Sequence, residues 1–159
     1  MTDDPGPARK LAALGLELPI LSPVRGNYVR ARRDGATLYL AGHGPAPDAS
    51  GRRQAGKVGA DLTLVEGYAA ARRAGLALLA TISSELGSLD RVRAVVRVFG
   101  MVNVAPGFAA TPAVIDGCSD LLIEVFGLEV GRHARSAIGV AALPFDMPVE
   151  IEAVVAVRD

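Results

Sequence analysis

The chain has 159 residues, half of them hydrophobic, which predicts one domain, spanning residues 1–159, with a single well-buried core. Its 17 basic and 17 acidic side chains cancel, so no net positive charge is available to hold a polyanion, and nucleic acid is not the expected partner. The single cysteine, the acidic start and the lack of a run of about twenty apolar residues predict a cytoplasmic protein that has no internal disulfide and does not span a membrane.

The first third of the chain predicts a short helix, a β-hairpin and a surface loop. Residues 7–18 favour a helix, and residues 26–33 and 37–41 favour strands. Asp34-Gly35, between the two strands, is a hairpin turn signal. The polar and glycine-rich residues 47–59 are expected to form a loop at the surface.

The most strongly predicted element is a helix that begins after Thr63. Thr63 and Glu66 have the spacing of a capping box, in which the side chains satisfy two free backbone N–H groups. Apolar residues then recur at helical intervals as far as Gly87, where the helix is expected to end. The small residues Ala71 and Gly75 would let this helix lie close against a sheet.

The next predicted strand has two partly apolar faces. From residue 91 the apolar period changes to two, and strict alternation would place Val95 and Phe99 on one face, opposite Val96 and Val98. If one face packs against helices, the face with Val95 and Phe99 still needs a cover. A second subunit is the simplest supplier of that cover.

A second long helix and two further strands complete the pattern. Thr111 and Pro112 predict the start of the helix and Gly127 its end, and Cys118 lies on its apolar stripe, where a buried, inert thiol is expected. Two strands then follow. The order strand, strand, helix, strand, helix, strand, strand predicts an α+β fold, with one sheet covered on one side by two long helices.

The last quarter of the chain carries one arginine and one glutamate in a distinctive setting. Arg135-Ser136 opens an apolar run, Leu143-Pro144 turns it, and residues 149–152 return as Val-Glu-Ile-Glu. A guanidinium binds a carboxylate through two parallel hydrogen bonds, and a carboxylate such as that of Glu150 can orient water or move a proton. This pairing suggests chemistry on a small carboxylic acid.

Strand arithmetic separates Arg135 from Glu150 if the two strands form a plain hairpin. The two side chains would then be about six strand positions, or roughly 20 Å, apart. They could not share a site within one hairpin. Either they are unrelated structural residues, or Arg135 of one subunit approaches Glu150 of the next.

This segment resembles the signature of the Rid family, also called YjgF, which reads Arg-Ser, a strand, Leu-Pro, and then Val-Glu-Ile-Glu. The resemblance implies a chorismate-mutase-like fold of the bacillary type, a homotrimer, and active sites in the clefts between subunits. Members hydrolyse reactive enamines and imines to 2-keto acids and ammonia, without a cofactor of their own. By this resemblance Arg135 would bind the substrate carboxylate and Glu150 would position the attacking water.

Further positions follow from the same resemblance. Gly26-Asn27-Tyr28 is similar to an early Gly-x-Tyr of the family, whose tyrosine lines the pocket, which implies Tyr28. Residues 41–45 are similar to its Ser-Gly-Gln-x-Pro turn, which implies Gly42, with His43 in place of the usual glutamine. Asp116 matches a family asparagine on the second helix that reaches the pocket. Ala137 stands where many members carry a pocket cysteine, so the substrate is left open.

Two other functions remain alternatives. The trimer could bind a small carboxylate without turning it over, or it could be an endoribonuclease or translation inhibitor, as relatives of the family have been described. Neutral net charge and few aromatic residues argue against RNA. His43 and His133 are too few, and too poorly supported by neighbouring ligands, to predict a metal site. A histidine in the turn at position 43 could serve as an acid or base, or simply bond to the backbone.

Overall fold

The computed structural model describes residues 6–48 and 50–158. It contains one five-stranded sheet, with strand order β1-β2-β5-β3-β4, and long helices on one side of it. In chain order the elements are α1 (Pro7–Ala13), β1 (Ala31–Asp34), β2 (Thr37–His43), α2 (Leu64–Leu86), β3 (Val92–Asn103), α3 (Thr111–Gly131), β4 (Ala134–Val140) and β5 (Val149–Val157), with short 3₁₀ turns at Leu89–Arg91 and Pro144–Asp146. The predicted α+β fold is confirmed.

The capping box of α2 forms as predicted. The Thr63 side chain accepts a hydrogen bond from the Glu66 backbone, the Glu66 side chain accepts one from the Thr63 backbone, and Gly87 ends the helix in the left-handed region at φ 77°. The hairpin turn also lies where expected, between Asp34 and Thr37. The first helix is shorter than predicted, because the chain leaves helical geometry at Gly15, whose φ is 65°.

The two long helices pack closely because glycines lie at their contact. A side chain at Gly117 would overlap the Tyr68 carbonyl, and one at Gly75 would come within 2.9 Å of Leu121. Gly75 therefore faces α3, rather than the sheet as the sequence suggested. Gly127, the predicted end of α3, only interrupts the helix, with φ 79° and ψ 168°, and one more turn follows as far as Gly131.

The predicted hairpin of the last two strands is wrong. Strand β4 pairs parallel with β3, whereas β5 pairs antiparallel with β3 and with β2. The physical reason is burial: Val149, Ile151 and Val155 in β5 are at most 1% exposed and need a central position. Helix α3 makes the crossover that a parallel β3–β4 pair requires.

Two register shifts in β3 overturn the predicted alternation. They separate Val92 from Ala94 and Val95 from Arg97 in the pairing with β5. As a result Val95 points into the core with Val98, while Val96 is 47% exposed. Phe99 lies on the face away from the helices, as predicted, and Val95 does not.

The face of the sheet away from the helices carries apolar side chains. Tyr39, Val96 and Ile138 are all more than 40% exposed on it. Cross-strand pairs place Val154 beside Tyr39, and Met101 beside Ile138. We call this surface the open face.

None of the described helices has the length and apolarity that crossing a bilayer requires.

Candidate functional site

Arg135 lies on the helix side of β4 and is held by α3. Its Nη1 donates to Asp116 Oδ1 at 2.7 Å and to Ser119 Oγ at 3.0 Å. Its Nη2 makes a longer contact of 3.4 Å to the Pro112 carbonyl. The Arg135 side chain is 21% exposed and that of Asp116 is 50% exposed. The guanidinium is thus fixed in orientation but still reachable from solvent.

Ala137 lies beside Arg135 on the same face of β4. Its side chain packs against the core, and its carbonyl accepts a hydrogen bond from Thr111 Oγ1 at 3.1 Å. Together with Asp116, these residues form one group at the edge of the sheet. We call Asp116, Ser119, His133 and Arg135 the arginine cluster.

Two members of the arginine cluster were not predicted from the sequence. Ser119 Oγ lies 2.9 Å from His133 Nε2, and His133 Nδ1 lies 2.7 Å from the Gly131 carbonyl. Because a carbonyl can only accept, Nδ1 carries the proton, Nε2 accepts from Ser119, and Ser119 accepts from Arg135. Ser119 stands three residues after Asp116 and His133 two before Arg135, and that spacing was the available signal.

His133 is held in its neutral form by its surroundings. Burial lowers its pKa most, the hydrogen bond to Gly131 opposes this by raising it, and the Arg135 charge has the smallest effect and lowers it. A protonated ring would also remove the acceptor that the Ser119 O–H now uses at Nε2. The ring therefore serves here as a hydrogen-bond acceptor.

Glu150 belongs to a second group, on the open face. It alternates with the buried residues Val149 and Ile151, so its side chain points away from the helices. Gly42 on the neighbouring strand lies against it, and a methyl group at Gly42 would overlap Glu150 Oε1. Burial, and secondly the charge of Glu152, raise the pKa of Glu150. Gly42 and Glu150 are thus one packed unit.

His43 does not join the Gly42 and Glu150 group. It is 5% exposed, with Nδ1 2.6 Å from the Ala41 carbonyl and Nε2 2.7 Å from Thr81 Oγ1 on α2. Burial is the main cause of its lowered pKa. The backbone-bonded histidine that the sequence allowed is the arrangement found. The His43 ring thus links β2 to α2. In the same way the His133 ring links the end of α3, at Gly131, to Ser119 in the middle of α3.

Tyr28 lies in the segment before β1 and is 57% exposed. Its ring packs beside Gly26, whose φ of 142° turns the chain there. Across residues 6–48 and 50–158, no hydrogen bond or ion pair joins Tyr28 to Arg135 or Glu150. The tyrosine ring therefore faces solvent.

Arg135 and Glu150 do not meet within one chain, although the reason differs from the one expected. Arg135 pairs with Val98 and Glu150 with Met101, on opposite sides of β3. Three residues along the strand and two strand spacings separate their Cα positions by roughly 14 Å, replacing the roughly 20 Å of a hairpin. Their side chains also point to opposite faces of the sheet.

Two other kinds of site, a metal centre and a reactive thiol, find no support in the described part of the chain. Among the described residues, no three His, Cys, Asp or Glu side chains come together in a way that could hold a metal ion. Cys118 is fully buried, and burial raises its pKa to about 12. The inert thiol predicted from the apolar stripe of α3 is therefore confirmed.

Comparisons with known proteins agree with this fold. The model of the YjgF/chorismate mutase-like family, which is described as a family of candidate endoribonucleases, matches residues 8–154. The protein TCP17 of Trypanosoma cruzi is 44% identical over 148 residues, which are 93% of this chain and 92% of that protein. A structure from Shewanella oneidensis MR-1, described as a candidate endoribonuclease, is 34% identical, with a TM-score of 0.90 over 96% of this chain and 100% of its own.

A more distant structure shares the fold and carries a ligand. It is that of E. coli TdcF with bound serine, 22% identical, with a TM-score of 0.58 over 86% of this chain and 91% of its own. The family match covers most of the chain, and the Arg-Ser and Val-Glu-Ile-Glu segments lie within the matched residues. The chain belongs to the YjgF/chorismate mutase-like family.

Proposed function

We propose that this protein hydrolyses reactive enamines and imines, of the 2-aminoacrylate and 2-iminopropanoate kind, to 2-keto acids and ammonia. The observation that carries the proposal is the division of the site. A solvent-reachable arginine lies on the helix side of the sheet, and a glutamate with a raised pKa lies on its open face. Each supplies one of the two functions that the reaction needs.

The role of Arg135 is to bind the substrate carboxylate. Its guanidinium is oriented by Asp116 and Ser119 through Nη1 before a ligand arrives, which lowers the entropic cost of binding, while Nη2 makes only the 3.4 Å hydrogen bond to Pro112. The role of Glu150 is to position and deprotonate water. A raised pKa brings a carboxylate closer to the optimum for a general base near neutral pH.

The two groups would be brought together between copies of the chain in a homotrimer. The exposed apolar side chains of the open face supply a surface that association would bury. In a ring of three, the edge at β4 of one copy can meet the open face of the next, so Arg135 and Glu150 can line one cleft. Tyr28 and Gly42 would form the wall on the Glu150 side, and Ala137 the wall on the arginine side.

The test is a coupled assay in which an amino-acid dehydratase generates the imine and keto-acid release is followed. Arg135→Ala should remove most of the acceleration over the spontaneous reaction. Arg132→Ala is the matched control, because Arg132 is an exposed arginine three residues away. Equal rates for wild type and Arg135→Ala would sink the proposal.

Ribonuclease activity is a second candidate, favoured by the descriptions of the family and of the Shewanella oneidensis relative. Arg32 and Arg33 on β1 are exposed and could contact a phosphate backbone. The balanced charge of the chain weighs against it. The test incubates single-stranded RNA with the purified protein and, separately, with the double variant Arg32→Ala/Arg33→Ala. RNA cleavage by wild type that the double variant loses would support ribonuclease activity.

If the trimer instead binds a carboxylate without turnover, wild type and Arg135→Ala would differ in binding 2-oxobutyrate. They would not differ in the coupled assay. The two measurements together therefore separate a ligand-binding trimer from an enzyme.

A further inference from the structure

The arginine that binds the carboxylate is already partly neutralised within its own chain. Arg135 Nη1 forms an ion pair with Asp116 at 2.7 Å. Its second partner, Ser119, is uncharged, and His133 behind Ser119 is held neutral. A ligand approaching this guanidinium therefore meets one positive and one negative group side by side.

Asp116 has an oxygen available for a ligand. Its Oδ1 takes the hydrogen bond from Arg135, while no hydrogen bond to Oδ2 is present in residues 6–48 and 50–158. The side chain is half exposed, and the neighbouring Arg135 Nη2 makes only a 3.4 Å contact. The guanidinium therefore has a half-exposed carboxylate beside it, one oxygen of which takes no hydrogen bond among the described residues.

We propose that Asp116 makes the site selective for ligands that carry a protonated nitrogen beside the carboxylate, over 2-keto acids of the same carbon skeleton. The proposal rests on the proposed function, since it names the form of the substrate. A carboxylate alone is attracted by Arg135 and repelled by Asp116. A 2-iminio or 2-amino acid satisfies both groups, because its carboxylate meets the guanidinium and its N–H meets Oδ2.

The charge of Asp116 would act differently on substrate and product. In the reaction the protonated imine carbon forms a bond to the oxygen of water, its bond to nitrogen breaks, and a 2-keto acid and an ammonium ion result. Before the reaction the aspartate stabilises the protonated imine, which is the form that water attacks. Afterwards the cation is gone, and the same aspartate repels the carboxylate of the product, which favours its release.

A purely structural role for Asp116 makes a different prediction. If the aspartate only orients Arg135, its removal weakens the binding of every carboxylate by a similar factor. If it contacts the nitrogen of the ligand, its removal weakens amino-acid binding and strengthens keto-acid binding. The ratio of the two affinities separates the two roles.

The experiment measures binding of 2-aminobutyrate and 2-oxobutyrate, which share a carbon skeleton, by calorimetry with wild type and Asp116→Asn. The asparagine keeps the shape of the side chain and its hydrogen bond to Arg135. We expect wild type to prefer 2-aminobutyrate, and the affinity ratio to move toward 2-oxobutyrate by about tenfold in the variant. Asp120→Asn is the matched control, because Asp120 is exposed one turn further along α3 and bonds to Tyr68 instead.

An unchanged ratio in Asp116→Asn, or wild type that binds neither compound, would overturn the proposal. A melting temperature close to that of wild type confirms that the variant is folded. The assay requires no turnover, so the inference and the proposed function can fail separately. A shifted ratio together with absent imine hydrolysis would leave the selectivity standing and reject the enzyme.

Discussion

The arginine cluster and the Gly42 and Glu150 group hold their charges in opposite ways. Arg135 donates to three acceptors, and its orientation is set by neighbours on α3. The Glu150 carboxylate receives no hydrogen bond within residues 6–48 and 50–158, and burial raises its pKa. A group that must recognise a ligand benefits from being fixed, while a group that must take up a proton benefits from an unsatisfied, poorly solvated charge.

The largest effect that would test this contrast is expected from Glu150→Gln. Without a base, turnover in the coupled assay should fall by roughly 100-fold. Affinity for 2-oxobutyrate should be retained, because the arginine cluster is untouched. The control is Glu85→Gln, an exposed glutamate on α2. Loss of both turnover and binding in Glu150→Gln would contradict the division of roles.

The pH profile sharpens the same point. A base must be ionised to act, so turnover should rise with pH through the pKa of Glu150, which lies above its ordinary value of about 4.5. Glu152→Gln removes one cause of that elevation and should move the acid limb to lower pH. If the acid limb of the profile does not move, the pKa that it measures belongs to a group other than Glu150.

Gly42→Ala should have the next largest effect. The added methyl group would overlap Glu150 Oε1 and displace the carboxylate. Turnover should fall by roughly tenfold, and the melting temperature should also fall. If the overlap with Glu150 causes the loss of stability, Gly42→Ala should destabilise the Glu150→Ala variant much less than it destabilises wild type. A double-mutant cycle measures this difference. Additive losses would contradict the proposed contact.

The buried His43 and the half-buried His133 predict acid sensitivity of the fold. His43 and His133 have pKa values lowered below their ordinary value of about 6.5. Below pH 6.5 the unfolded chain takes up protons that the folded chain does not, so the free energy of unfolding falls until the folded pKa is reached. A double Gln variant should lose about 1 kcal/mol at pH 7 and show a flatter slope below pH 6.5. Parallel slopes would contradict the burial argument.

The smallest expected effect is a gain in the stability of Glu150→Gln, the variant whose turnover is expected to fall most. Because the folded pKa of Glu150 is raised, its contribution to stability is full below about pH 4.5 and is lost as the pH rises through the folded value. At neutral pH the ionised side chain therefore costs stability. Glu150→Gln should melt slightly above wild type at pH 7, while its turnover falls. A lower melting temperature would show that the charge is stabilised by contacts.

Local patterns predicted the local structure well. Thr63 and Glu66, three residues apart, fix the start of α2 through their hydrogen bonds, and Gly87 fixes its end. Residues that are close in the sequence therefore determine both ends of this helix. The burial of Cys118 likewise follows from its helical stripe. The two ends of α2 depend on few long-range contacts.

Pairing and register could not be predicted in this way. Eight residues between β4 and β5 look like the loop of a hairpin, yet β5 takes the position between β2 and β3 because its apolar side chains are covered there. The register shifts that turn Val95 inward belong to the pairing of β3 with β5. The sequence of β3 alone does not indicate them. The hydrogen bond from Ser119 to His133 also needs α3 and β4 to be in place.

The proposed site is shared between two copies of the chain. Co-expressing Arg135→Ala with Glu150→Gln gives mixed assemblies in which an intact arginine can meet an intact glutamate from a neighbour. With random mixing in a trimer, about one quarter of the clefts contain both intact residues, and the coupled assay should recover roughly that fraction of wild-type turnover. Mixed assemblies no more active than the two variants expressed alone would contradict the account.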